Sequence, residues 1–233
     1  FMLYRKEHLH RLFHDLRYVV VDEVHAFQDS DRGGQLQSLL ERITRHTGAN
    51  FRRVGLSATL GDYGDAAAWL AGASGTSVRV IPGEGGRRLK LGLNHYPAHS
   101  DGEGGANPSL LRRVYQATRT GKSLVFVNSR ARGEAITAGL QALAEAEDRP
   151  SHYYVHHGSV SKEYRLAAEE AMRRPHQPAC TIATLTLELG IDLGQLDRVV
   201  QVNAPGSVSS FVQRIGRTGR RDQVGEVLIL TEQ

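Results

Sequence analysis

The sequence predicts an α/β protein with two parallel-sheet domains in tandem, and three observations carry that prediction. Short apolar runs of strand length alternate with stretches whose apolar residues recur at helical spacing, the pattern of a parallel sheet covered by helices. A glycine-rich interval between Pro82 and Pro108 interrupts the alternation, which then restarts. At 233 residues and 40% hydrophobic, the chain has apolar surface enough for substantial cores.

In order, Leu9, Leu12, Phe13 and Leu16 fall at helical spacing, and the unbroken run Tyr18-Val19-Val20-Val21 predicts a strand buried on both faces. Leu36, Leu39, Leu40 and Ile43 predict a second helix, followed by strands around Arg53 to Ser57 and Val78 to Ile81. Pro-Gly-Glu-Gly-Gly at 82–86 and Asp-Gly-Glu-Gly-Gly at 101–105 bracket a short apolar stretch around Leu89 to Leu93. They place a linker over 85–108, between a domain spanning 1–84 and another spanning 109–233. The second half predicts strands at Ser123–Val127, Tyr153–His156, Cys180–Ala183, Arg198–Val202 and Glu226–Leu230. Helices fall at about Arg130–Ala144 and Lys162–Met172, and another opens after Pro205-Gly206 with Ser207 as its cap.

Bulk properties exclude several classes. No apolar run approaches the length of a membrane-spanning helix, and the opening Phe1-Met2-Leu3-Tyr4-Arg5-Lys6 is neither a signal peptide nor a translation start, so a piece of a longer cytoplasmic protein is expected. The lone Cys180 forms no internal disulfide. Of 29 basic residues only four are lysines, leaving 25 arginines; with a formal charge of +4 this favours polyanionic partners and forked contacts to phosphate.

Two constellations carry chemistry. Asp22-Glu23-Val24-His25 follows an apolar strand, which sets adjacent carboxylates at the carboxyl edge of a parallel sheet, where open α/β folds bind ligands. One carboxylate suits Mg²⁺, while its neighbour polarises a water for attack on a γ-phosphate. The second is Gln213-Arg214-Ile215-Gly216-Arg217-Thr218-Gly219-Arg220-Arg221, at the end of a helix whose Val208, Phe211, Val212 and Ile215 predict the buried stripe and whose other face is cationic. Gln213 and Arg217 share a face, and the glycines present Arg217 and Arg220 from a turn, a geometry that grips phosphate as charge builds during transfer.

These segments, with Ser57-Ala58-Thr59 and Thr184 through Asp192, resemble motifs II, III, V and VI of superfamily 2 DEAD/DEAH-box helicases, in that family's order. Phe126-Val127-Asn128-Ser129-Arg130, His156-His157-Gly158-Ser159-Val160-Ser161 and Leu187-Glu188-Leu189-Gly190-Ile191-Asp192 look like the large helicase-related (Lhr-type) branch. The resemblance implies two RecA-like domains, the first incomplete at its N-terminus. It implies an ATP-dependent helicase or translocase that couples hydrolysis at the inter-domain cleft to movement along, or unwinding of, nucleic acid, with ATP and Mg²⁺ as cofactors. By the same resemblance Asp22 orients Mg²⁺, Glu23 is the general base, and Arg217 and Arg220 are arginine fingers. Gly190, Asp192 and Gln213 hold the nucleotide, and His25, Ser57 and Thr59 couple hydrolysis to strand binding. Asn128, Ser129, Arg130, His157, Gly158 and Thr184 lie at the nucleic-acid backbone. Contacts of this kind read phosphate rather than bases, so sequence-independent binding is expected, with DNA favoured over RNA by the Lhr-like wording.

Two departures stand out. Thr120-Gly121-Lys122-Ser123 ends like a P-loop, but position 116 is Gln instead of Gly and the segment precedes a strand, so it reads as a turn. The phosphate loop is therefore expected upstream of Phe1. Thr218-Gly219-Arg220 stands where Lhr-type proteins more often carry Ala-Gly-His. Other readings are weaker. Gly55-Leu56-Ser57-Ala58-Thr59 nearly spells a hydrolase nucleophile elbow but lacks its last glycine. The histidine groups 8, 10, 14 and 152, 156, 157 lack partners that would complete a zinc set. A non-catalytic nucleic-acid-binding module is the remaining alternative.

Overall fold

The computed structural model describes residues 12–28, 30–48, 51–57, 62–82, 88–97, 106–184, 196–206, 208–218 and 224–232. The chain divides into two compact units, Phe1–Glu84 and Gly85–Gln233.

In the first unit β1 (Tyr18–Val21) pairs in parallel with β2 (Arg52–Gly55), and α1 (Asp31–Thr47) and α2 (Tyr63–Ala71) pack against them. Ser30 and Asp62 cap these helices by accepting the backbone N–H groups of Gly33 and of Gly64 and Asp65, each cap contributing about 1 kcal/mol. Val19 and Val21 face Leu36, Leu40 and Leu70. Contrary to the sequence reading, β1 is not buried on both faces: Tyr18 and Val20, on the alternate side, are 56% and 58% exposed. The helices cover one face, and among the described residues β2 is the only strand beside β1. Residues 78–81 form no strand; Val78 packs against the core, without a ladder partner among the described residues.

Among its described residues the second unit holds six parallel strands in the order β3-β8-β7-β4-β6-β5. They are β3 (Leu89–Tyr96), β4 (Lys122–Phe126), β5 (Tyr153–His156), β6 (Ala179–Ala183), β7 (Arg198–Val202) and β8 (Gly225–Glu232). The helices are α3 (Pro108–Thr118), α4 (Arg130–Ala146), α5 (Lys162–Arg173) and α6 (Val208–Ile215). Where the sequence reading places a linker, Leu89–Tyr96 is an edge strand in register with β8 along its whole length. Alternation splits the core. Val125, Val127, Val200 and Val202 meet Leu110, Val114, Ile136 and Leu140 of α3 and α4 on one face. Leu124, Phe126 and Val199 meet Met172 of α5 on the other.

The segment Thr120–Ser123 turns into β4. Gly121 has φ 73°, and a Cβ there would stand 2.4 Å from an Asp197 carboxylate oxygen, so glycine is required. Lys122 Nζ donates to the Ala171 carbonyl at 2.5 Å, and burial lowers its pKa.

Candidate functional site

In the first unit the carboxyl end of β1 is tied to that of β2: Leu56 N–H donates to Val21 O at 2.9 Å, and Val24 N–H to Leu56 O at 3.0 Å. The tie brings residues 22–25 beside Ser57. Asp22 is exposed, and its Oδ1 accepts the Glu23 N–H at 2.9 Å. Glu23 holds φ 51° and ψ 48°, a left-handed conformation costing a non-glycine residue roughly 1–2 kcal/mol. Its Oε2 is buried and, among the described residues, accepts no hydrogen bond, standing 3.5 Å from His25 Nδ1. His25, with a side chain 7% exposed, sets that Nδ1 2.6 Å from Ser57 Oγ. Phe27 stacks on Trp69 with centroids 6.0 Å apart, and Gly33 passes so close that a Cβ would stand 1.7 Å from the Phe27 carbonyl oxygen. These packings fix the short 3₁₀ turn Val24–Ala26 that carries His25.

The donor set suits Mg²⁺. Magnesium takes one or two protein carboxylates and keeps several waters, and here Asp22 offers an exposed carboxylate beside the Glu23 oxygen that, among the described residues, accepts no hydrogen bond. Among the described residues no cluster of three or more His, Cys, Asp or Glu forms a dedicated metal cage, which magnesium does not require.

In the second unit, the sheet has a switch point between β4 and β7. The chain leaves β4 into α4 on one face, and leaves β7 into α6 on the other, and it is at the carboxyl edge of such a switch point that sheets of this kind take ligands. Asn128 Nδ2 joins the loops that follow the two strands, donating to Ala204 O at 2.7 Å. Ser129 caps α4 by accepting the Arg132 N–H, and Arg130 Nη1 donates to Ser159 Oγ at 2.7 Å. The buried His157 accepts the Ser159 N–H at Nδ1, so its Nε2 carries the proton shared with Glu134 at 3.0 Å. Gly158 is exposed, and Thr184 is half-buried at the end of β6. All six residues expected at a nucleic-acid backbone thus gather on one edge.

Gln213 and Arg217 stand elsewhere. α6 runs back across the sheet, and Thr218, just past it, bridges Leu196 at the amino end of β7, its hydroxyl donating to Leu196 O at 3.0 Å. Arg217 sits in the turn between, half-buried, one helical turn after Gln213. Thr59, Gly190, Asp192 and Arg220 lie outside the described residues, as do Ser207 and the side chain of Val208.

The basic motif departs from its expected helix faces. Phe211, Val212 and Ile215, expected as the buried stripe, are only half-buried, whereas Arg214 is 1% exposed. Its guanidinium lies 4.9 Å over the Phe126 ring and its Nη1 donates to Gln201 Oε1 at 2.9 Å. A desolvated cation over an aromatic ring is worth about 2 kcal/mol, which with the amide acceptor offsets much of the cost of burying the charge. The sequence signal for this was Gln201, one polar residue amid Val199, Val200 and Val202.

A parallel-sheet fold with these two groups at strand and helix ends defines a superfamily 2 helicase core, and comparison with known proteins shows it. Residues 2–66 match the model of the DEAD/DEAH box helicase family, and residues 106–222 that of the helicase conserved C-terminal domain. The chain belongs to this family, in its Lhr-type branch. It is 35% identical over 214 residues to the ATP-dependent helicase Lhr-Core of Methanothermobacter thermautotrophicus, covering 88% of this chain and 24% of that protein. It is 34% identical over 251 residues to the Lhr helicase/uracil glycosylase of Escherichia coli, covering 90% of this chain and 16% of that one. The structure of Mycobacterium smegmatis helicase Lhr bound to ssDNA and AMP-PNP matches with a TM-score of 0.79 at 32% identity, over 97% of this chain and 29% of that one. The chain therefore spans less than a third of the length of these helicases. Among the described residues, no helix is long and apolar enough to cross a membrane.

Proposed function

We propose that the chain is the motor core of a nucleic-acid-stimulated ATPase that moves along or unwinds DNA, bound through its backbone without regard to sequence. The observation that carries this reading is the Glu23 carboxylate, held left-handed with Oε2 buried and, among the described residues, accepting no hydrogen bond, between Asp22 and the His25–Ser57 pair. Strain and an unsatisfied buried oxygen both cost stability, and they are retained where chemistry uses them. A pure binding module has no use for either.

Asp22 would hold the magnesium, which when bound would neutralise charge on the phosphates. Glu23 takes a proton from a water as that water attacks the γ-phosphorus and ADP leaves. Arg217 and Arg220 stabilise the equatorial charge of the transferring group, while Gly190, Asp192 and Gln213 hold the nucleotide. His25, Ser57 and Thr59 pass the state of the nucleotide to the strand. Asn128, Ser129, Arg130, His157, Gly158 and Thr184 hold successive phosphates along the carboxyl edge. The preference for DNA is supported by the relatives solved with it, the M. smegmatis Lhr with ssDNA and the DUF1998 helicase MrfA with DNA.

The test is Glu23→Gln in the full-length protein. It retains ATP binding while turnover falls about 10²- to 10⁴-fold. Turnover within a few-fold of wild type would remove Glu23 from its role as base.

A further inference from the structure

Arg214, inside the basic motif but buried, and Gln201 on β7 are given no role in the function proposed above, yet within the second unit they join the carboxyl edge that carries Asn128 to the segment that carries Arg217. Gln201 is fully buried, accepts from Arg214 Nη1 and donates from Nε2 to Asn203 O at 2.6 Å and to Val202 O at 3.2 Å. Asn203 is held left-handed at φ 60°, its N–H donating to Leu230 O at 2.7 Å and its Oδ1 accepting the Glu232 N–H at 2.9 Å. The next carbonyl, Ala204 O, takes the amide of Asn128. Glu232 in turn pairs with Arg132, whose N–H is capped by Ser129. A continuous polar line thus runs from the helix preceding Arg217 to the loop of Asn128 at the carboxyl edge.

We infer that Arg214 and Gln201 are positioning residues that carry strand occupancy at Asn128 to the α6 helix and so to Arg217, an assignment that rests on the function proposed above. The physical grounds are burial and saturation. A side-chain amide with both ends engaged cannot let Asn203 shift without drawing on Arg214, and Arg214, stacked on Phe126, cannot shift without turning α6. Packing of this kind holds discrete arrangements rather than bending smoothly. A strand phosphate that engages Asn128 competes for the amide now held by Ala204 O and so loads the line at its far end.

The experiment follows amide hydrogen exchange in the full-length protein with single-stranded DNA and no nucleotide, and then ATPase with and without DNA. In wild type, DNA slows exchange at 128–130 and 157–159 and also across 208–217. In Gln201→Met the first two segments stay protected, the third loses its protection, and the DNA-stimulated to basal kcat ratio falls by about tenfold while the KM for ATP holds. A merely structural role would lower basal and stimulated rates together and leave the ratio unchanged. Should Gln201→Met leave the Arg214 charge stranded and unfold the protein, Gln201→Met with Arg214→Met removes both partners, refills the volume and is read the same way. Retained protection at 208–217 with an unchanged ratio in either folded variant overturns the inference. So does a wild type protected at 128–159 but not at 208–217. Absence of protection at every segment overturns the nucleic-acid reading and this inference with it, whereas a DNA response across 208–217 in a protein without ATPase activity upholds the line and overturns only the motor.

Discussion

His25 Nδ1 stands 2.6 Å from Ser57 Oγ, joining two segments 32 residues apart at the ends of neighbouring strands. The same nitrogen lies 3.5 Å from Glu23 Oε2, so one imidazole touches both the proposed base and the second segment. Ser57→Ala with Thr59→Ala is expected to lower strand separation by about tenfold while basal hydrolysis changes far less. Unwinding and ATPase rates measured on one preparation check this; equal loss of both would place the pair in the chemistry itself.

Addition of single-stranded DNA to the full-length protein raises its ATPase rate, because productive closure needs a gripped strand. Rates with and without DNA at saturating ATP measure it, and a flat response would remove the coupling.

Arg217→Lys and Arg220→Lys keep charge and lose the planar fork, so kcat falls by about a hundredfold while nucleotide affinity holds. Arg221→Lys is nearly silent in hydrolysis and at most weakens DNA binding in a salt-dependent way. Measuring kcat and affinity for the three side by side decides between fingers and a plain basic surface.

His156 offers a stability test apart from function. Burial lowers its imidazole pKa below the usual value, although Glu169, 3.3 Å away, pulls upward. A neutral ring in the fold and an ordinary ring in the unfolded chain mean that stability is full above about pH 6.5 and declines as pH falls below it. The urea midpoint drops between pH 7.5 and 5.5, and His156→Gln flattens that drop.

Cys180 is fully buried, and burial pushes its thiol pKa up to about 12. Iodoacetamide at pH 8 leaves it unmodified until urea unfolds the second unit, read by mass spectrometry.

Much of the second sheet was legible because its strands are short, apolar and buried; Tyr153–His156 and Arg198–Val202 coincide with their predicted bounds. Where pairing is decided far along the chain, the local pattern misled. Val78 to Ile81 has strand propensity but no described partner, while Leu89 to Tyr96, flanked by glycines, pairs with a strand more than 130 residues on. The acidic group was legible as a strand end, but the left-handed Glu23 was not, since no residue type announces it. Arg214 was hidden among arginines that look alike in sequence, and only the partner on β7 distinguishes it.

The placement of β3 has a practical consequence for dividing the protein. Any version of the second unit trimmed to begin near Pro108 would discard Leu89–Tyr96 and bare eight residues of β8, from Gly225 to Glu232. Their unanswered N–H and C=O groups, alongside Val227, Leu228 and Leu230, would make an adhesive border ready to recruit a strand from another copy. Clumping of such a trimmed piece would reflect that stripped border rather than weakness in the sheet behind it.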